Sequence, residues 1–574
     1  MNLFITNMFD VMSISLLFGL YVSLLFSFPI ISRYLSSLYY LVICGSSLFI
    51  LLIIFFSQLN YIFIQENTFT WISNNLTETL ATIPLSLNFS INSLSYCFAL
   101  LVILIGTTTN FYLLTYFKGE ANENIFIFWL NSFIASMLIL VFANNFFTLF
   151  LGWELIGLTS FFLINFWSNR RATLKSSYKA FIFNLFSDVC LLGFFAAMFY
   201  LTGNDDCQTV FYLCLYSDIF QQNLFQLAVL LLILCCSIKS VQIIGHLWLP
   251  DSMEAPVPAS SLIHSATLVS AGIYLLCKFS YLIELSIWSN FVLYLGGLTA
   301  VYGGCVAAAQ TDVKKLLAYS TMSHCGFLWI LASLGQFYIT IIYLFLHGIF
   351  KAATFYCVGT FIRTFGSQDT RWMGWGLKLL SINSLSLIIC SANLCGLPFT
   401  IGYLYKFFFF KVLYTDINSF FIIATLFLGA QTSLIYFYRL NFYLLFDFYK
   451  NIKETTLTYL IKTFIKFPKN WSLLRLNHFF AIGILLSSAF SFSIIFIFLI
   501  KYFPAITTQL YEINNLTNIF NIELIYSNYY IFFYSFYLSI LCILFVINNK
   551  FSLSLLYCQT TFIYLITSLL FIKF

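Results

Sequence analysis

Charge is what this 574-residue chain has least of: Asp, Glu, Lys and Arg make up 8% of it, against 61% hydrophobic residues and a mean hydropathy of +0.94. That balance excludes a soluble fold with a charged surface. Metal-ligand spacing is missing as well. The fifteen cysteines are scattered singly apart from Cys235 and Cys236, with no CxxC and no Cys/His cluster. Iron–sulfur, haem and zinc sites are therefore not expected, and most of these thiols read as small core hydrophobes. There is no GxGxxG and no P-loop, since Gly374 and Gly376 lack the later glycine and a βα context, so no nucleotide site is expected. The opening residues, MNLFITNMFD, form neither a cleavable signal with a basic start nor an Arg-rich transit peptide. That suits synthesis close to the target membrane, as from an organelle's own genome, and the 72 Phe and 37 Tyr fit an AT-rich coding strand. The net charge of +6 comes from loop lysines and arginines, which topology explains better than nucleic-acid binding.

What the chain does have is apolar runs of 20 or more residues. Only helices and closed barrels satisfy their backbone in lipid, and runs of this length are helical. The expected fold is an all-α polytopic membrane protein. Segments near 10–30, 37–57, 91–115, 124–143, 144–166, 176–202, 223–249, 255–281, 287–309, 313–334, 336–362, 380–412, 417–440, 478–503, 526–547 and 551–572 give about sixteen transmembrane helices. Loops after odd-numbered spans hold Arg33, Lys118, Arg170, Arg171, Lys175, Lys314, Lys315, Arg371, Lys378, a Lys-rich stretch at 450–469 and Lys550. Loops after even-numbered spans hold Glu66, Glu78, Asp205, Asp206, Asp218, Glu284, Glu512 and Glu523. By the positive-inside rule this sorting supports the count and puts both termini opposite the basic loops.

Two spans look interrupted: one around Gly245–Pro250, just after Lys239, and one around Cys395–Gly402, just before Lys406. Gly or Pro breaks free backbone groups that lipid cannot satisfy, so they face protein or water. Two broken helices, each with a Lys beside the break and about five spans apart, suggest two inverted five-helix repeats of one transport unit. The divisions expected are N-terminal helices at 1–123, a first half-channel at 124–281, a second at 282–440, and C-terminal helices at 441–574.

Five charges lie inside apolar runs: Glu154, Asp188, Lys239, Lys351 and Lys406. A Lys at mid-span costs about 2.5–3.5 kcal/mol on insertion scales. Any one of them could be a structural ion pair, but neutral side chains would hold helices together more cheaply, so the set reads as a proton relay. His246, His264, His324 and His347 lie in or beside spans, where imidazole suits a water wire. His264 and His347 share helices with the lysines and are the stronger candidates, whereas His324 and His478 read as structural.

At these residues the chain resembles the antiporter-like membrane subunits of respiratory NADH:ubiquinone oxidoreductase (complex I). The resemblance rests on GWELIGLTSFFLI, KAFIFNLFSD, KSVQ…HLWLPDSMEAPVPASSLIHSATLVSAG, DVKKLLAYSTMSHCG, HGIFKAATF and QDTRWMG, over roughly residues 90–410. Within that family, His264 and Lys406 favour the large distal subunit over its sister chain 4. The resemblance implies that Glu154 and Lys239 form the coupled pair of the first half-channel, with Asp188 as that Lys partner. His246 belongs to the same block, His264 and Lys351 match the hydrophilic axis, His347 matches a neighbour of Lys351, and Lys406 matches the terminal Lys near the exit. The chain departs from the family at Phe407 (an acid there), Tyr343 (a second His), Leu185 (an Arg) and His324 (a Gln). Only a few residues separate its last two spans, where the family carries a long lateral helix, so either residues 549–574 are a shortened remnant of it or another chain supplies that tether.

The resemblance also implies a proton-translocating, non-redox subunit in the mitochondrial inner membrane. Neither cofactor nor metal is expected in the chain itself, with FMN, iron–sulfur clusters and ubiquinone in other subunits. The implied partners are other membrane-arm subunits, chain 4 above all, with accessory subunits and lipids such as cardiolipin, and no nucleic acid. The competing readings are a cation/proton antiporter subunit and a structural arm subunit that has lost conduction.

Overall fold

Eleven of the expected apolar segments fall in the part of the chain that the computed structural model describes. That part comprises residues 69–70, 88–90, 93–117, 120, 122–216, 222–335, 337–374, 376, 380–397, 400–403, 406, 419–445 and 481–486. Every one of the eleven carries a helix. In chain order the helices of the described part are α1 (Ser93–Tyr116), α2 (Glu123–Phe142), α3 (Phe146–Ile164), α4 (Arg171–Thr202), the short α5 (Cys207–Tyr216), which falls in none of the expected runs, α6 (Asn223–Lys239), α7 (Val257–Ser265), α8 (Leu268–Lys278), the short α9 (Ser280–Glu284), α10 (Ser289–Ala309), α11 (Val313–Ser333), α12 (Phe337–Phe365), α13 (Ser381–Cys395) and α14 (Ser419–Leu445). Among the described residues, eight helices are long and apolar enough to cross a membrane. The protein is a helical, multi-pass membrane protein. The expected spans at 10–30, 37–57, 526–547 and 551–572, nearly all of 478–503, and the proposed lateral-helix remnant at 549–574 lie outside the described residues.

The spans hold together as membrane helices do, by close packing of small residues rather than by a hydrophobic drive. The α10–α11 contact is one example. A side chain at Gly326 would stand 2.6 Å from the Gly296 carbonyl and 2.5 Å from the Ala300 nitrogen, so the two backbones are in direct contact. α14 packs along α10 and α13, α6 lies between α4 and α8, and α12 touches α1, α7, α11 and α13, which places it at the centre. Cationic side chains close helix ends where carbonyls lack intrahelical partners. Arg363 donates to the carbonyls of Thr115 (2.5 Å) and Tyr116 (3.0 Å), and Lys278 donates to that of Ala143.

The structure differs from the sequence expectation in three places. Two strands of two residues, Phe69–Thr70 and Asn88–Phe89, pair antiparallel, and Phe89 bridges Ala143 between α2 and α3; they cap that connection outside the spans. The run at 223–249 is helical only to Lys239. The run at 255–281 is divided at Ala266 and Thr267, between α7 and α8. The last has a local cause: Thr267 Oγ1 donates to the Leu262 carbonyl at 3.0 Å and Ser265 Oγ to that of Ser261 at 2.5 Å, so hydroxyls compete with the helical ladder.

Candidate functional site

The first break begins one residue past Lys239. Ser240 closes α6, and Val241 takes φ of 62°, a left-handed conformation that a β-branched residue adopts only under strain. Two 3-10 turns come next, His246–Trp248 and Asp251–Glu254. Carbonyls at the end of α6 find donors: Cys236 from the Ser240 amide (2.9 Å), Ser237 from the Gln242 amide (2.8 Å), and Ile238 from the Trp248 indole (3.0 Å). Gln242 is itself fixed by Thr299, which donates to its Oε1 at 2.6 Å. Lys239 thus sits in the last turn of a helix, where a cation suits the dipole.

Lys239 has no exposed surface. Its Nζ donates to the Trp153 carbonyl at 2.6 Å, lies 4.1 Å over the Trp153 ring, and is 4.0 Å from Asp188 Oδ1. Trp153 is held in turn by its indole donating to Ser187 Oγ at 3.0 Å. Glu154, one residue along α3, points to the outer face of the protein but interacts electrostatically with both Lys239 and Asp188. His246 is half-buried beside α10, with Nδ1 2.7 Å from the Ile243 carbonyl and Nε2 3.4 Å from the Tyr302 hydroxyl, apart from the buried row of charges.

His264 is buried at the C-terminal end of α7, at the edge of the Ala266–Thr267 division. Its Nε2 is 3.3 Å from Ser252 Oγ, its ring stacks on Phe355 of α12 (centroids 5.9 Å), and its Nδ1 has no hydrogen-bond partner among the described residues. α12 places Tyr343, His347 and Lys351 on one face at four-residue spacing. Lys351 is fully buried and donates to Ser320 Oγ of α11 at 2.6 Å.

The second break parallels the first. α13 ends at Cys395, and Gly396 takes φ of 69° in the left-handed region that glycine alone adopts freely. Here the lysine itself satisfies the freed backbone. Lys406 Nζ donates to the Cys395 carbonyl at 2.6 Å and to Ser433 Oγ of α14 at 3.3 Å.

Of the eight candidates, the structure brings Asp188 to Lys239, places Lys239, His264, His347, Lys351 and Lys406 in the buried interior, and leaves Glu154 and His246 nearer the periphery. Sequence reasoning misses several residues at the same site. His324, which reads as structural in the sequence, has its ring 4.7 Å from that of His347 and a hydroxyl against each nitrogen. Lys314, a loop cation by its position in the sequence, is buried and donates to the carbonyls of Met253 (3.3 Å) and Ala255 (3.1 Å), tying α11 to the first break. Lys179 forms an ion pair with Asp251 at 2.6 Å. The sequence signal for His324 is its spacing of four from Ser320, one helical turn along α11; the spacing gives none for Lys314. His478 lies outside the described residues. Among the described residues, no group of three or more His, Cys, Asp and Glu could hold a metal ion.

The fold and site define a multi-pass helical membrane protein with buried cations beside broken helices. The family model described as NADH:quinone oxidoreductase/Mrp antiporter, TM matches residues 143–432, half of the chain, and includes all eight candidate residues. The chain belongs to that family. Its curated relatives include the NADH-ubiquinone oxidoreductase chain 5 of Paramecium tetraurelia, 45% identical over 370 residues (63% of this chain, 65% of the relative). That of Acanthamoeba castellanii is 36% identical over 346 residues (58% of this chain, 51% of the relative). The matched region thus spans less than two thirds of these relatives. A solved structure, that of the membrane-bound sulfane sulfur reductase, an archaeal respiratory membrane complex, matches with a TM-score of 0.66 at 16% identity. It covers 84% of this chain and 96% of its own, and shows that the fold is shared.

Proposed function

We propose that this chain is a proton-translocating, non-redox subunit of a respiratory NADH:ubiquinone oxidoreductase in the mitochondrial inner membrane. The observation that supports it best is the succession of buried Lys239, His264, Lys351 and Lys406, with a broken helix beside the first and the last. Proton relays in pumps use such chains of ionisable groups, and irregular backbone at membrane depth marks the path. Residues 124–281 form a first half-channel centred on Lys239, and residues 282–440 form a second centred on Lys351 and Lys406. A Lys whose carboxylate partner can be drawn away alternates between holding and releasing its proton, and Lys239 with Asp188, influenced by Glu154, is built for that exchange. His264, His347 and ordered water link the two halves.

The driving reaction, quinone reduction, takes place in other subunits, which hold the FMN, iron–sulfur clusters and ubiquinone. The chain's neighbours are the other membrane-arm subunits, first the sister chain 4, with accessory subunits and lipids such as cardiolipin. Both termini face the intermembrane space. In the assembled complex reconstituted into vesicles, Lys239→Ala and Lys351→Ala should each lower the protons moved per electron pair. An unchanged ratio in both variants, with normal assembly, would make the chain a structural arm subunit. A second reading, cation/proton exchange, is favoured by the Mrp antiporter half of the family description. Sodium-dependent proton flux in vesicles without any electron donor would select it.

A further inference from the structure

His324 is, among the described residues, the one histidine with a hydroxyl against each ring nitrogen. Nδ1 lies 2.7 Å from the Tyr343 hydroxyl on α12, and Nε2 lies 3.2 Å from the Tyr436 hydroxyl on α14. Its ring is 4.7 Å from that of His347, and the whole side chain is buried. The position is a junction. On one side, Ser320 is one turn before His324 on α11 and accepts from Lys351 at 2.6 Å. On the other, Ser433 is one turn before Tyr436 on α14 and accepts from Lys406 at 3.3 Å. Lys351 and Lys406 both act on His324 through space. A histidine serving only to tie helices together needs one hydrogen bond. This one has two, one to a hydroxyl on α12, the helix that carries Lys351, and one to a hydroxyl on α14, whose Ser433 accepts from Lys406.

We propose that His324 is a relay residue that moves protons between Lys351 and Lys406, receiving on one ring nitrogen and releasing from the other. The step balances without a co-reactant. The neutral ring starts with its hydrogen on Nε2 and its lone pair on Nδ1. The Tyr343 hydroxyl gives its proton to Nδ1 while its oxygen takes one from the Lys351 side. The imidazolium then gives the Nε2 proton to the Tyr436 oxygen, whose own proton passes toward Ser433 and Lys406. The ring ends neutral with its hydrogen on Nδ1, and reverse hops or a ring flip reset it. The two hops at the ring follow hydrogen bonds of 2.7 and 3.2 Å, and the serines that hold Lys351 and Lys406 lie one helical turn from His324 and Tyr436.

This assignment rests on the reading of the chain as a proton path, and the test separates the two. In the assembled, reconstituted complex, protons moved per electron pair are compared for wild type, Lys351→Ala, His324→Gln, Tyr436→Phe and the double variant His324→Gln with Tyr343→His. The Gln amide keeps a donor and an acceptor but cannot change its protonation, so a tie between helices survives and a relay does not. His324→Gln should lose as much of the ratio as Lys351→Ala, and Tyr436→Phe should lose a comparable share should His324→Gln fail to assemble. The double variant, which puts an imidazole on the facing helix, should regain at least half of the loss. If Lys351→Ala lowers the ratio while His324→Gln and Tyr436→Phe pump as wild type, the relay is overturned and the proton path stands. If Lys351→Ala also pumps as wild type, the underlying reading falls with it.

Discussion

Lys351 reaches across from α12 to donate to Ser320 of α11 at 2.6 Å, and among the described residues no carboxylate stands within ion-pair distance of it. A buried cation held by a hydroxyl alone keeps most of its desolvation penalty. Lys351→Met is therefore expected to leave the protein more stable by about 1–3 kcal/mol while abolishing its share of proton transfer. Thermal unfolding of the purified assembly, set beside proton stoichiometry, checks both. A variant that is less stable and still pumps would mean that the charge serves packing.

Lys239 is in the opposite situation, with Asp188 Oδ1 at 4.0 Å and Trp153 beneath it. Removing the carboxylate leaves the cation buried without its counter-charge, so Asp188→Asn should destabilise by about 1–3 kcal/mol, the modest end for a pair at this separation. Removing both charges, in Asp188→Asn with Lys239→Met, should damage stability less than the sum of the single changes. A double-mutant cycle gives the coupling directly. Strict additivity would show that the two groups do not sense each other.

How much of the molecule is legible in its sequence depends on what kind of signal each feature has. Each of the eleven apolar runs in the described part carries a helix, because in lipid the period of the backbone and the length of the run decide the structure together. Lys239 and Lys406 stand out because a charge inside such a run has no ordinary explanation. The division at Ala266–Thr267 is not legible, because it comes from Ser and Thr hydroxyls, which helices in membranes often tolerate. His324 looks structural in the sequence because its importance lies in Tyr343 and Tyr436, the latter 112 positions away, and only packing brings them together. Glu154 lies at mid-span as expected along the helix, but a single position cannot tell which face of α3 it occupies.

Gly272 of α8 meets the end of α6 backbone to backbone. A side chain there would come within 2.7 Å of the Cys236 carbonyl and 2.9 Å of the Ser240 amide, the groups that terminate α6 beside Lys239. Neither can move as a flexible side chain would. Gly272→Ala should cost about 1–3 kcal/mol and, by displacing the end of α6, should lower proton transfer although it touches no ionisable group. Gly203, with nothing near it, is no suitable control because of its φ of 73°; Gly483, with open space and no positive φ, is. Equal effects of alanine at 272 and 483 would remove the argument.

Outside the spans, Asp369 holds the loop between α12 and α13 against the start of α11. It bridges Asp312, and its neighbours pair through Val313 to Gln368 and Thr370 to Thr311, each at 3.0 Å. Its carboxylate accepts from the Arg371 side chain (2.9 Å from Nε to Oδ2) and from the Arg371 amide (3.0 Å). Hydrogen bonds from Arg371 hold the Asp369 carboxyl below the usual carboxylate range. Because its folded-state pKa is lower than the unfolded one, the unfolded chain binds the extra proton. The stability that Asp369 contributes is thus fully present above about pH 4 and is lost as pH falls toward its lower folded value. The pair is exposed, so the amount is small, about 0–1 kcal/mol. Asp369→Asn should reduce stability at neutral pH by that amount and flatten the acid-side slope. Unfolding midpoints measured from neutral pH downward test this, and a slope identical to wild type would place the acid sensitivity elsewhere.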